Sequence, residues 1–198
     1  MIKRLFDAVI SSFLLLILLP LFIFIALLVQ FSSKGGIFYI QKRVGQGGKL
    51  FGMFKFRTMY VDADKKSLLT IGDHDPRVTI VGFYLRKYKM DELPQLFNVW
   101  LGTMSLVGPR PEVSRYTDLY TDEQRQILNV KPGITDYASI EYADESELLA
   151  QAADPEKEYI EQIMPRKIIL NQRYIAEQGI FVDIKIIFLT LLKILRKK

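Results

Sequence analysis

The chain has no cysteine in its 198 residues, so disulfides and thiolate metal sites are excluded. It has one histidine, His74, which rules out multi-imidazole metal clusters and argues against a Ser-His-Asp triad. It also lacks a nucleotide-binding P-loop. The glycine-rich turn Gly45-Gln46-Gly47-Gly48 is followed by neither the Lys-Ser/Thr pair nor a helix. No internal repeat, low-complexity segment or inter-domain linker interrupts the chain. Acidic charge is in deficit: 22 Asp and Glu stand against 27 Lys and Arg, giving a net charge of +5 and a pI near 9.3. That balance implies an anionic partner, whether nucleic acid, anionic lipid or a phosphorylated substrate. What remains for chemistry is carboxylate, Lys, Arg and Tyr. The length suits one domain with a real core and leaves little for a second.

Mean hydropathy is positive, +0.13, and the excess lies at the two ends. Leu5 to Phe31 is nearly uncharged, with Asp7, Ser11, Ser12 and Gln30 its clearly polar members. It exceeds the roughly 20 residues that cross a bilayer. A signal peptide fits poorly, because the run is too long and no small-x-small cleavage site follows. Two readings stand side by side, a straight span and a re-entrant hairpin. Pro20 removes the bond to the Leu16 carbonyl and should kink the helix. Cations on both flanks (Lys3 and Arg4 before; Lys34, Lys42, Arg43 and Lys49 after) give no orientation for a span and suit two ends on one face. At the other end, Phe181 to Lys198 predicts an interfacial helix with Asp183 as its cap and Arg196-Lys197-Lys198 at its end; a core helix is the rival.

Between these ends, Asp91-Glu92 sits among cations: Arg77, Arg86, Lys87 and Lys89 before it, Arg110 after it. Paired carboxylates can hold a metal or attack phosphorus, while cations hold the remaining phosphate oxygens. Pro94 predicts a break after the pair, with Leu93, Leu96, Phe97 and Val99 as core anchors. Pro109 and Pro111 fix the backbone around Arg110, a means of preorganising a guanidinium. Ile37–Ile40 and Phe51–Met59 read as strands, the second carrying Lys55 and Arg57 on one side. A helix is expected through Phe83–Tyr88. Asp62 to Asp75 reads as a charged loop, Val130–Thr135 as a turn, Asp144–Glu161 as a solvated acidic stretch, and Ile168–Ala176 as a helix. The class is α+β and helix-rich, a single membrane-associated domain: residues 1–33 form the membrane helix and residues 34–198 the catalytic region.

Five motifs occur in order: Lys55-Phe56-Arg57-Thr58-Met59, Asp75-Pro76-Arg77-Val78-Thr79, Asp91-Glu92-Leu93-Pro94-Gln95-Leu96-Phe97-Asn98-Val99, Gly108-Pro109-Arg110-Pro111 and Pro132-Gly133-Ile134-Thr135. The set resembles the bacterial sugar transferases, the monotopic phosphoglycosyl transferases, in their small single-domain form. The resemblance implies transfer of a phosphosugar from a UDP-sugar to a polyprenol (undecaprenyl) phosphate, with release of UMP. It implies Asp91 as nucleophile, and Mg²⁺ held by Asp91 and Glu92. The other substrate-binding residues expected are Lys55, Arg57, Arg77, Arg86, Arg110 and Pro111. It further implies a re-entrant N-terminal helix, contact with membrane lipid, and an active site on the cytoplasmic face of the bacterial inner membrane. No nucleic-acid partner is expected, and a homo-oligomer is compatible with it. The sequence departs from the family at Ile80 and Phe83, where Arg is frequent, at Lys89, where a small hydroxyl is frequent, and at Asp136, where Gly is frequent. These departures bear on the donor sugar, which the Tyr137–Glu145 segment is expected to face. The rival functions are a Mg²⁺-dependent lipid or nucleotide diphosphate hydrolase and a membrane-anchored basic binding module.

Overall fold

In the computed structural model, which describes residues 2–61, 63 and 75–196, Pro20 divides the N-terminal apolar run into α1 (Ile2–Ile17) and α2 (Leu19–Ser32), bent by 63°. Strands β1 (Phe38–Val44) and β2 (Leu50–Phe56) follow, then α3 (Ile80–Lys87), α4 (Gln95–Leu101) and β3 (Ser105–Val107). Two single-turn helices come next, α5 (Ser114–Thr117) and α6 (Asp122–Arg125), before β4 (Gly133–Thr135). The chain closes with α7 (Tyr137–Glu141), α8 (Glu145–Gln151), α9 (Pro155–Glu158), α10 (Met164–Glu177) and α11 (Ile180–Arg196). This is the helix-rich α+β class expected. The charged loop expected over Asp62–Asp75 lies outside the described residues apart from Ala63 and Asp75.

The sheets are small. β1 and β2 form an antiparallel hairpin in which Phe38 faces Phe56 and Val44 faces Leu50. The strand expected to end at Ile40 runs on to Val44. β3 and β4 pair in parallel, Ser105 with Gly133 and Val107 with Thr135. The segment read as a turn at Val130–Thr135 therefore holds a short strand. Three residues are too few for a period to show, and only the partner strand defines it.

α1 is bound to the rest by polar groups as well as apolar ones. Asp7 is buried and accepts from the Ser105 hydroxyl at 2.8 Å and the Leu106 N–H at 3.2 Å. Arg4 donates to the carbonyls of Val99 at 2.6 Å and Trp100 at 2.7 Å, covering the carbonyl end of α4. Lys3 pairs with Asp183. Asp183, predicted as the cap of α11, lies instead within its first turn, buried, and also accepts from the Tyr174 hydroxyl at 2.8 Å. Ile10, Leu14 and Leu18 pack on the central cluster formed by Met53, Leu96, Val99, Met104, Val107 and Ile186. Asn98, near the end of the Asp91–Val99 motif, holds β2 by accepting from the Phe54 N–H at 2.9 Å and donating to the Gly52 carbonyl at 2.7 Å. Phe97, expected in the core, faces outward. Helical spacing turns Gln95, Leu96, Asn98 and Val99 inward and leaves Phe97 and Trp100 on the other side.

Arg57 corrects another expectation. β2 ends at Phe56, and Arg57 turns away from Lys55 to donate to the carbonyls of Val29 (3.1 Å), Ser33 (2.7 Å) and Lys34 (2.6 Å). It closes the carbonyl end of α2. Removing a buried guanidinium strands three acceptors. Arg57→Ala should therefore lower stability by about 2–4 kcal/mol, among the larger single-residue losses. Thermal unfolding in detergent measures this, and an unchanged midpoint would contradict it.

Among the described residues no single helix is long and apolar enough to cross a membrane, although the bent α1–α2 pair meets that test jointly. Outward apolar stripes run along Leu5, Val9, Phe13 and Leu16 of α1, Ile23, Phe24, Leu27 and Phe31 of α2, and Phe181, Ile184, Phe188, Leu191 and Leu195 of α11.

Candidate active site

Lys89 is the one non-glycine residue with positive φ among the described residues, at +55°. The left-handed backbone costs about 1 kcal/mol for such a side chain. It stops α3 and turns the chain into a single 3₁₀ turn, Met90–Glu92, that carries both carboxylates. α4 begins after Pro94, so no continuous α-helix passes through that proline, as expected.

Glu92 lies between two cations. Lys55 Nζ donates to its Oε1 at 3.0 Å, and Arg110 Nη1 donates to its Oε2 at 3.1 Å while the second guanidinium nitrogen bonds Oε1. Asp91 is buried beside it. Burial and the Glu92 charge raise the Asp91 carboxyl above its ordinary range, opposed by Lys55, Arg86 and Lys89. Burial also works against ionisation of Glu92, but Arg110 and Lys55 outweigh it and hold Glu92 well below the usual carboxylate range. Glu92 raises Arg110 further, whereas burial lowers Lys55 despite Glu92 and Asp91. The two neighbouring carboxyls are shifted in opposite directions: Glu92 is held anionic between two cations, and Asp91 is the more basic group.

Arg110 owes its place to two close approaches. Gly108 donates to Thr135 O at 3.0 Å and Gly133 to Pro109 O at 3.0 Å. A Cβ on Gly133 would lie 2.1 Å from Gly108 N, so the Gly-Pro-Arg-Pro and Pro-Gly-Ile-Thr motifs need each other's missing side chain. The Arg110 N–H donates to Asp136 at 3.0 Å, and the same carboxylate accepts from the Ser139 N–H at 2.6 Å, capping α7. The departure at Asp136 thus fixes the Arg110 loop. Pro111 is buried, and its carbonyl accepts from Arg43 at 3.1 Å. That bond ties the loop to β1 at the residue expected to contact substrate.

Of the predicted site residues, the fold brings together Asp91, Glu92, Lys55 and Arg110, with Arg86 acting electrostatically on Asp91. Arg77, expected as a substrate ligand, pairs locally with Asp75, its Nε donating to the two carboxylate oxygens at 2.9 and 3.0 Å. Within the segment expected to face the sugar, Tyr137 donates to Glu177 at 3.0 Å under the Arg173 guanidinium. Glu145, expected as a solvated charge, reaches buried Lys167 at 3.1 Å. Sequence reasoning gave no site role to Arg43, Glu112 and Lys167, and flagged Asp136 as bearing on the donor sugar where the structure has it hold the Arg110 loop. Glu112 directly follows Pro111, and Lys167 is a cation beside the apolar Ile168-Ile169 pair; these were the available signals.

The Mg²⁺ implied by the resemblance would have the adjacent carboxyls Asp91 and Glu92 to bind it here. Among the described residues no three His, Asp or Glu side chains cluster into a protein-built cage. Mg²⁺ characteristically takes one or two carboxylates and fills its shell with water and substrate phosphate. Asp91 would supply one carboxylate, and Glu92 would join by sharing an oxygen now bonded to Lys55 or Arg110.

Residues 1–197 match the model of the family described as bacterial sugar transferase. The chain is 37% identical over 201 residues to the UDP-glucose:undecaprenyl-phosphate glucose-1-phosphate transferase of Escherichia coli (strain K12), covering 98% of this chain and 40% of that protein. It is 38% identical over 196 residues to the undecaprenyl-phosphate glucose phosphotransferase of Komagataeibacter xylinus, covering 96% of this chain and 35% of that protein. The exopolysaccharide production protein ExoY of Rhizobium meliloti (strain 1021) is 34% identical over 206 residues, with 96% of this chain and 84% of that protein covered. The chain thus spans well under half the length of the first two relatives and most of the third.

Proposed function

Because the chain belongs to the bacterial sugar transferase family, we propose that it transfers a phosphosugar from a UDP-sugar to undecaprenyl or a similar polyprenol phosphate, at the cytoplasmic face of the bacterial inner membrane. The observation that carries this reading is the Asp91–Glu92 pair: one buried carboxyl made basic, and one held anionic between Lys55 and Arg110.

The reaction proceeds in two displacements. An Asp91 carboxylate oxygen attacks the sugar-side phosphorus. The bond from that phosphorus to the oxygen bridging the two phosphates breaks, and UMP leaves with the electron pair. An oxygen of the lipid phosphate then attacks the same phosphorus, the bond to Asp91 breaks, and the carboxylate returns. Polyprenyl-diphospho-sugar is the product. Mg²⁺, held by Asp91 and Glu92, would supply positive charge against the diphosphate oxygens. Lys55 and Arg110, preordered by Glu92, stabilise the charge that develops on UMP, and donors fixed in advance act without reorganisation. The raised proton affinity of Asp91 makes its anion a better nucleophile than an ordinary carboxylate.

The outward apolar stripes of α1, α2 and α11 support membrane contact, and the 63° bend at Pro20 supports a re-entrant hairpin. The same site can then receive a soluble donor and a bilayer-borne acceptor in turn. A panel of UDP-sugars, each assayed with and without undecaprenyl phosphate, tests this. Lipid-dependent UMP release and a lipid-linked diphosphosugar are expected with at least one donor. Release of free sugar phosphate at the same rate without lipid would make the protein a hydrolase instead.

A further inference from the structure

Beyond the Arg110 loop lies a lysine whose hydrogen bonds go to Glu112, Glu145 and Tyr159 and to neither Asp91 nor Glu92. Lys167, on α10, is 8% exposed. Its ammonium donates to Glu112 Oε1 at 3.2 Å, to Glu145 Oε2 at 3.1 Å and to the Tyr159 hydroxyl at 3.3 Å, and it stands 5.1 Å from the centre of the Tyr159 ring. Tyr159 donates in turn to Glu112 Oε1 at 2.6 Å, and Arg43 reaches the other Glu112 oxygen at 3.4 Å. The Tyr159 ring and the Glu112 carboxylate are deep in the same layer, and burial with the Glu112 charge raises Tyr159 far above the ordinary phenol range.

The local backbone is built for this arrangement. Residues Tyr159–Ile163 form a π-helical turn between α9 and α10. Such a turn takes up one extra residue, so Tyr159 and Lys167, eight apart, share a face that about seven positions would span in a regular α-helix. π-turns of this kind recur at functional sites. Glu112 is two residues from Arg110, and Pro109 and Pro111 restrict the backbone around that arginine. The placement of the Glu112 carboxylate is therefore passed to Arg110 through few free torsions. A buried ion cluster is a poor device for stability, because desolvation offsets its attraction. Fixing one geometry is the better reason for its presence.

We propose that Lys167 is a positioning residue that, through Glu112, sets the Pro109–Arg110–Pro111 loop so that the Arg110 guanidinium meets Glu92 and the donor diphosphate. This rests on the donor reading above. Arg110 serves the departing UMP, so the effect belongs to the first displacement alone. In a two-displacement scheme, kcat/KM for the donor and kcat/KM for the acceptor report separate halves of the reaction.

Full-length protein in detergent with UDP-sugar and undecaprenyl phosphate provides the test. Lys167→Met should lower kcat/KM for the donor about tenfold, leave kcat/KM for the acceptor within about twofold, and add less than about twofold in an Arg110→Ala background. Tyr159→Phe keeps the ring and removes the hydroxyl, with the bond it donates to Glu112 and the one it accepts from Lys167. It should move the donor constant about threefold the same way, and it covers the case in which Lys167→Met does not fold. Equal losses in both constants, or an undiminished effect of either variant in the Arg110→Ala background, would overturn the proposal. Wild-type turnover is the denominator throughout. Failure of the donor reading therefore shows in the wild type, and failure of this proposal shows only in the variants.

Discussion

Asp91→Asn is expected to abolish UMP release, by at least about a thousandfold, the scale on which loss of a nucleophile falls. The amide keeps the shape of the carboxylate and loses its lone-pair basicity, so the first displacement has no attacking group. Stability should move the other way. The Asp91 carboxyl is raised by burial and by Glu92, so its ionised form is disfavoured in the folded state. Any stabilisation from the protonated form is lost as pH rises through the raised folded value. A neutral amide removes that penalty, and the melting temperature at neutral pH should equal or exceed that of the wild type. Intact mass after mixing with donor alone should show one phosphosugar on the wild type and none on Asp91→Asn. Full activity in that variant would end the nucleophile assignment.

The second large effect is expected from Glu92→Gln. Glu92 is the counter-charge of both Lys55 and Arg110. Without it two cations face each other in a part-buried site, and the order they impose on the leaving phosphate is lost. A fall of about 10²–10³ in kcat/KM for the donor is expected, the scale of removing a preorganised charge-stabilising group. The pH profile carries a sharper signature. In the wild type, Asp91 must be ionised to attack, and its raised proton affinity places the acid limb of donor kcat/KM above the range of an ordinary carboxylate. Activity is full above that limb and falls as pH drops through it. Glu92 is one cause of the upward shift, so Glu92→Gln should move the limb to lower pH while lowering the plateau. A limb that stays in place as the plateau falls would show that it does not belong to this coupled pair.

Much of the site was legible in the sequence because the ordered motifs are dense in chemistry. With no cysteine and one histidine, carboxylates and cations were the main groups left to act on phosphate. Asp91, Glu92, Lys55 and Arg110 do converge. Arg57 and Arg77 read the same way and are engaged elsewhere, one by the carbonyl end of α2 and the other by Asp75. A cation in a motif carries no mark of the direction it points. That direction depends on where a strand ends or which acceptor folds back beside it. Asn98 stood in a motif with no role read for it, and Asp136 was read as bearing on the donor sugar; one pins β2 and the other pins the Arg110 loop.

The sequence alone determined the apolar run and its break at Pro20, the helix-rich class, the acidic pair among cations and the excess of positive charge. Each is a local property: a missing N–H, a periodic stripe, or adjacent residues in the chain. Tertiary structure decided the rest. Gly108 and Gly133 touch because two distant loops cross where no Cβ fits. Asp183 is buried because α1 and α10 bring Lys3 and Tyr174 to it. The division of Asp91 from Glu92 follows from which carboxyl Lys55 and Arg110 can reach. Desolvation and charge pairing depend on distance in space, and adjacent letters in a sequence do not encode it.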